Sequence, residues 1–128
     1  FVLVSNLESG GNIGRIIRSA SIFGASQCVV VGQRKFRISG DHGSRFDIPT
    51  KHFFTHEDAR DYLLKERGVR SLIGIEIEKS ASPLIRYDRE SGAVAFPFTG
   101  SSAFVLGNEG QGLSDSQRKV CDEYVYIP

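Results

Sequence analysis

The sequence predicts an α/β fold, a mostly parallel sheet with helices on both faces. Three observations carry this expectation. Apolar runs of strand length alternate with segments of helical periodicity along the whole chain. Several runs are apolar at consecutive positions, as in Val2-Leu3-Val4, Cys28-Val29-Val30-Val31 and Ala103-Phe104-Val105-Leu106. That pattern suits strands covered on both sides, the usual condition of a parallel sheet. Finally, the first strand, a helix and the second strand fit within about thirty residues, the size of a βαβ unit.

In chain order, Phe1–Ser5 reads as a buried strand, and the loop Asn6–Gly11 leads into a helix that Gly24 closes. At 3.6 residues per turn, Ile13, Ile16, Ile17, Ala20 and Phe23 share one side of that helix, and Arg15, Arg18 and Ser21 the other. Gln27–Gly32 is a second buried strand. Residues 33–50 keep no steady period and mix basic, aromatic and glycine residues, the character of a functional loop. A short strand around His52–Phe54 follows. Thr55–Arg67 is a helix, capped by Thr55, with Glu57 and Asp58 at its positive end, Lys65 and Arg67 at its negative end, and Gly68 to stop it. Its Ala59, Tyr62 and Leu63 face inward. Val69–Ile77 is a strand closed by Glu76 and Glu78, and Pro83 to Gly100 an irregular crossover. Ser102–Gly107 is another buried strand. A helix then starts at Leu113 and Ser114, with Ser114 and Gln117 spaced as a capping box, and Tyr124–Pro128 is the last strand.

Composition narrows the function classes. With 128 residues, 40% of them hydrophobic and 24% charged, the chain is one globular domain with a real core. No apolar run reaches a membrane-spanning length. The chain opens on Phe1 and holds no methionine, so the expectation is a processed or trimmed chain. Net charge is only +1, but residues 1–52 carry seven Lys/Arg against three Asp/Glu, and residues 53–128 nine against twelve. The basic half, with Arg15, Arg18, Arg34, Lys35, Arg37, Arg45 and Lys51, suits a polyanion, although a mixed surface would look the same. Phe36 and Phe46 lie among these cations and can stack on unpaired bases or plug the core beneath a loop. Cys28 and Cys121 belong to no Cys-x-x-Cys pair and read as reduced thiols of a reducing compartment, cytoplasmic or organellar. His42, His52 and His56 match no zinc spacing, so no metal is expected. Asp41-His42-Gly43-Ser44 has hydrolase residue types but no nucleophile elbow.

The candidate site is the pair of glycine-rich loops at strand ends, Gly10–Gly14 and Gly107–Gly112. Ligands of open α/β sheets bind beyond the carboxyl ends of the strands. Neither loop reads Gly-x-Gly-x-x-Gly, the second strand ends in Gly32-Gln33 without an acid for a ribose, and no phosphate-cradling NTPase loop exists. Glu109 within the second loop would repel a pyrophosphate and suit a cation such as a sulfonium. The plain alternative for Gly10–Arg18 is a solvated surface helix after a flexible turn.

Asn12-Ile13-Gly14-Arg15-Ile16-Ile17-Arg18, followed by Phe23-Gly24, resembles the first motif of the SpoU (TrmH-type) branch of the SPOUT RNA methyltransferases. Phe104-Val105-Leu106-Gly107-Asn108-Glu109-Gly110-Gln111-Gly112-Leu113-Ser114 resembles its second motif, and Tyr126-Ile127-Pro128 the opening of its third. Order and spacing agree over the whole chain. The resemblance implies transfer of a methyl group from S-adenosyl-L-methionine to a ribose 2′-hydroxyl of a transfer or ribosomal RNA, leaving S-adenosyl-L-homocysteine. It also implies a trefoil-knotted cofactor site and a homodimer that completes each site. By position, Arg18 is the family's catalytic arginine, Asn12 supports it, and Glu109 is the acid of the second motif. Gly107, Ile127 and Ile75 match cofactor contacts, while Arg15, Arg34, Lys35, Arg37 and Arg45 are the cations left for RNA. The polar residues and helix that continue the third motif do not follow Pro128, so the expectation is a C-terminally incomplete domain whose knot is not closed. Two other readings stay open: an RNA-binding knot domain without activity, and a nucleotide-binding α/β domain of another enzyme.

Overall fold

The computed structural model describes residues 1–5, 10–32, 48–108 and 110–128, with 10–12 as backbone only. In chain order the elements are β1 (Val2–Ser5), α1 (Gly10–Ile22), β2 (Cys28–Val31), β3 (Thr50–Phe53), α2 (His56–Lys65), β4 (Ser71–Ile75), β5 (Ser82–Pro83), β6 (Arg86–Tyr87), β7 (Val94–Ala95), β8 (Ser102–Leu106), α3 (Asp115–Val120) and β9 (Glu123–Tyr126). Seven strands form one sheet in the order β3-β2-β1-β8-β4-β9-β5, and every neighbouring pair in it is parallel. β6 and β7 make a separate antiparallel hairpin.

Handedness explains where the helices lie. The step from β1 to β2 runs one way along the sheet, and the steps from β3 to β4 and from β8 to β9 run the other. Right-handed crossovers therefore put α1 on one face and α2 and α3 on the opposite one. The side chains agree. Val4, Cys28 and Val30 pack with Ile13, Ile17 and Ala20 of α1, whereas Leu3, Val29, Val31, Ala103 and Val105 pack with Ala59 and Leu63 of α2 and Val120 of α3. Ile17 and Leu63 are wholly buried, and each such side chain stabilises the fold by about 1.5–3 kcal/mol.

The expected caps are present. Thr55 accepts from the Asp58 amide at 3.2 Å, Ser114 and Gln117 form a reciprocal capping box, and Gly24 closes α1 at φ +78°. Three expectations need correction. Phe23 is 86% exposed instead of facing inward, because α1 stops at Ile22 and the residue leaves the helical spacing. The crossover read as irregular from Pro83 to Gly100 holds part of β5 and all of β6 and β7, two-residue strands too short to show a period of two. Ile77 lies beyond β4 and is 84% exposed rather than being a strand residue.

One connection matters for the site. β4 and β5 are consecutive in the chain, yet β9 lies between them. Residues 76–81 therefore arch across the carboxyl end of β9, where the Glu76 amide donates to the Val125 carbonyl at 3.0 Å and the Leu84 amide to the Tyr126 carbonyl at 2.8 Å. Among the described residues, no helix is long and apolar enough to cross a membrane.

Candidate functional site

The carboxyl ends of β4, β8 and β9 enclose a cleft of about 630 Å³, within the range of roughly 300–1,000 Å³ usual for small-molecule sites. β4 contributes Ile75 and the following Glu76 and Ile77, β8 contributes Leu106 followed by Gly107, Asn108, Gly110, Gln111 and Gly112, and β9 contributes Tyr126 and the following Ile127. Ile16 reaches it from α1. The lining thus joins apolar side chains to exposed loop backbone.

The loop after β8 is a closed turn. Asn108 and Gly112 exchange backbone hydrogen bonds at 3.0 and 2.8 Å, and the Asn108 Oδ1 accepts from the amides of Gly110 at 2.7 Å and Gln111 at 3.2 Å. Such local side-chain bonds to backbone are what suit Asn to a tight turn. Gly112 has φ +71°, a left-handed conformation that glycine adopts without strain. At Gly107 a Cβ would lie 2.5 Å from the Gly112 carbonyl carbon, so the two ends of the turn pack backbone on backbone. Gln117, 2% exposed, donates from Nε2 to the Leu106 carbonyl at 2.9 Å and fixes α3 beneath the loop.

Charged groups brace one wall. Glu76 Oε2 accepts from the Leu113 amide at 2.9 Å and lies 3.7 Å from Arg118 Nη2, while Oε1 accepts from the Ile77 amide at 3.0 Å. Arg118 also pairs with Glu78, whose carboxyl the Ser80 hydroxyl and then the Arg118 guanidinium hold below its ordinary range.

The structure brings the three expected cofactor residues, Ile75, Gly107 and Ile127, onto this one cleft. Arg15 and Arg18 are exposed on α1 and do not line it. Arg18 lies two residues from Ile16, about 200° round the helix. Asn12 is in α1, its side chain outside the described residues, as are Glu109, Arg34, Lys35, Arg37 and Arg45 altogether. Sequence reasoning missed Glu76 as a site residue, although an acid placed directly after an apolar strand was the available signal. The described histidines are structural: His52 Nε2 donates to the Gly32 carbonyl at 2.7 Å, and His56 shares a hydrogen bond of 2.9 Å with the Ser5 hydroxyl. Burial lowers the His56 pKa. Cys28 and Cys121 are free thiols, pushed up by burial to about 12 and about 11.

Fold and cleft together define an open, parallel α/β protein with a cleft at the carboxyl edge of its sheet, the place where sheets of this kind bind ligands. Residues 1–128 match the SpoU rRNA Methylase family, and the chain belongs to it. Among its relatives, the 23S rRNA (uridine(2479)-2′-O)-methyltransferase of Streptomyces viridochromogenes is 30% identical over 132 residues, covering 99% of this chain and 44% of the relative. An uncharacterized tRNA/rRNA methyltransferase of Mycobacterium tuberculosis is 30% identical over 137 residues, 99% of this chain and 37% of the relative. The chain thus spans less than half the length of these relatives. The crystal structure of the SpoU methyltransferase AviRb of S. viridochromogenes in complex with the cofactor AdoMet aligns with TM-score 0.77 at 29% identity, over 99% of this chain and 49% of that one. The TrmH/SpoU tRNA modifying enzyme of A. aeolicus shares the fold with TM-score 0.74 at 22% identity, over 100% of this chain and 61% of that one.

Proposed function

We propose that this chain carries S-adenosyl-L-methionine-dependent 2′-O-methylation of the ribose of a transfer or ribosomal RNA. The observation that carries the reading is the convergence of Ile75, Gly107 and Ile127 on one cleft in a member of the SpoU family. The residues present suit the cofactor. Gly107 presents backbone without a side chain to the cleft, and Ile75, Ile77 and Ile127 form apolar walls for an adenosine. Bound there, S-adenosyl-L-methionine supplies a methyl group on a sulfonium and is left as S-adenosyl-L-homocysteine.

The chain's own residues then have two tasks. The ribose oxygen must be held in line with the methyl group, since positioning supplies much of the rate gain. It must also lose its proton as it attacks. An arginine, with pKa above about 12, is a poor base and a good donor. Arg18 therefore orients the 2′-hydroxyl or a neighbouring phosphate and stabilises the developing alkoxide. Asn12 supports it, and Glu109, the acid of the second motif, would suit a cation such as the sulfonium. Arg15, Arg34, Lys35, Arg37 and Arg45 hold RNA phosphates. Because Arg18 does not face the cleft that Ile16 of its own helix lines, the reading includes a homodimer that completes each site.

Arg18→Ala tests the assignment. Methyl transfer to bulk cellular RNA should disappear while S-adenosyl-L-homocysteine still binds with the affinity of the unaltered protein. Loss of cofactor binding instead would remove Arg18 from the catalytic role. RNA binding without any transfer by the unaltered protein would favour an inactive RNA-binding domain, and tighter binding of NAD or ATP than of S-adenosyl-L-homocysteine would favour another enzyme class.

A further inference from the structure

We infer that Glu76 is the positioning residue of the cleft, a carboxylate that clasps the glycine loop after β8 to the end of β4. This rests on the reading of the cleft as the S-adenosyl-L-methionine site. The cleft has two walls that the chain connects only through distant sequence: Ile75 and Ile77 at the end of β4, and the loop from Gly107 to Gly112. One side chain spans them. Glu76 Oε1 accepts from the Ile77 amide at 3.0 Å on the first wall, and Oε2 accepts from the Leu113 amide at 2.9 Å on the second. Arg118 of α3 stands 3.7 Å from the same oxygen and is anchored by Glu78, so the carboxylate is held from its own strand end, the loop and the helix.

The loop is shaped to admit the acid. A Cβ on Gly112 would lie 2.1 Å from Glu76 Oε2, so any other residue there would displace the carboxylate. Leu113 is only 6% exposed, and its amide without this acceptor would be left with little access to water. A buried donor without a partner is costly, so loss of Glu76 moves the turn rather than leaving the donor bare. The turn carries Gly107, the backbone expected to meet the cofactor.

The test compares Glu76→Ala with Glu76→Gln by calorimetric titration of S-adenosyl-L-homocysteine, and by KM for S-adenosyl-L-methionine and for RNA. Alanine should weaken cofactor binding by about tenfold or more, the scale of a lost bond to a charged acceptor. The KM for RNA should not change. Glutamine keeps an oxygen for the Leu113 amide and should restore most of the affinity. Glu76→Asp, whose carboxylate is one methylene too short to span from the Ile77 amide to the Leu113 amide, should weaken cofactor binding likewise and carries the test if Glu76→Ala does not fold. Cofactor affinity unchanged in Glu76→Ala or Glu76→Asp, or an equal loss in Glu76→Ala and Glu76→Gln, overturns the inference. Failure of the unaltered protein to bind S-adenosyl-L-homocysteine would instead overturn the reading of the cleft.

Discussion

Gly74, in the middle of β4, is a core position with no room for a methyl group. A Cβ there would lie 2.8 Å from both Leu113 Cδ1 and Tyr124 Cδ1. The strand therefore has glycine because two side chains occupy the space above it. Gly74→Ala should cost about 1–3 kcal/mol, as overpacked core sites do. The measurement is the denaturant midpoint, which should fall while the slope stays constant. Residues whose roles are local could be read from the sequence. Thr55 and the Ser114–Gln117 pair cap helices through partners three positions away, and the structure shows them doing so. Glu76 could be marked as an acid at a strand end, but its bond to the Leu113 amide could not, because that partner lies 37 positions along the chain.

Between elements, a single ion pair joins α2 to the start of β9. Arg60 grips Asp122 with two parallel bonds of 2.9 and 2.8 Å, and Asp122 Oδ2 also accepts from the Leu72 amide of β4 at 2.8 Å. The Arg60 guanidinium holds the Asp122 carboxyl below its ordinary value of 3.8. Folded Asp122 binds its proton less readily than the unfolded chain does, so its contribution is fully present above that ordinary value and is lost as pH falls through the lower folded one. Asp122→Asn should cost about 1–2 kcal/mol at pH 7, a modest figure because the pair is partly exposed. The difference from the unaltered protein should shrink in unfolding measurements taken below about pH 4. The main strands and the three helices among the described residues were legible in the sequence, since each carries enough residues to show a period or a consecutive apolar run. The two-residue strands were not, and Phe23 was misplaced by extending the helix one residue too far.

For the whole molecule, the sequence implied parallel strands on both sides of which helices pack, and the structure has them. It did not imply the order β3-β2-β1-β8-β4-β9-β5, because order depends on pairings between distant residues. The cleft was legible in part for the same reason. Gly107 and Ile127 came from motifs and Ile75 from its place at the end of a strand, whereas the walls that join them depend on β9 lying between β4 and β5. That insertion is expected to order folding. β9 follows every other described strand and pairs between two strands that precede it. In pulsed hydrogen-exchange refolding, the amides of β9 should gain protection after those of β1, β2 and β8. Simultaneous protection would show that the gap does not wait for its strand.

The arch of residues 76–81 over the end of β9 therefore has a consequence for quality. Tyr126 and Ile127 form a wall of the cleft, and they reach it only when β9 is seated under that arch. Seating of β9 and assembly of that wall are then one event. A chain that stalls before it lacks Tyr126 and Ile127 at the cleft. On the proposed reading, a bound cofactor should in turn hold β9 in its place, and S-adenosyl-L-homocysteine should slow hydrogen exchange of the β9 amides.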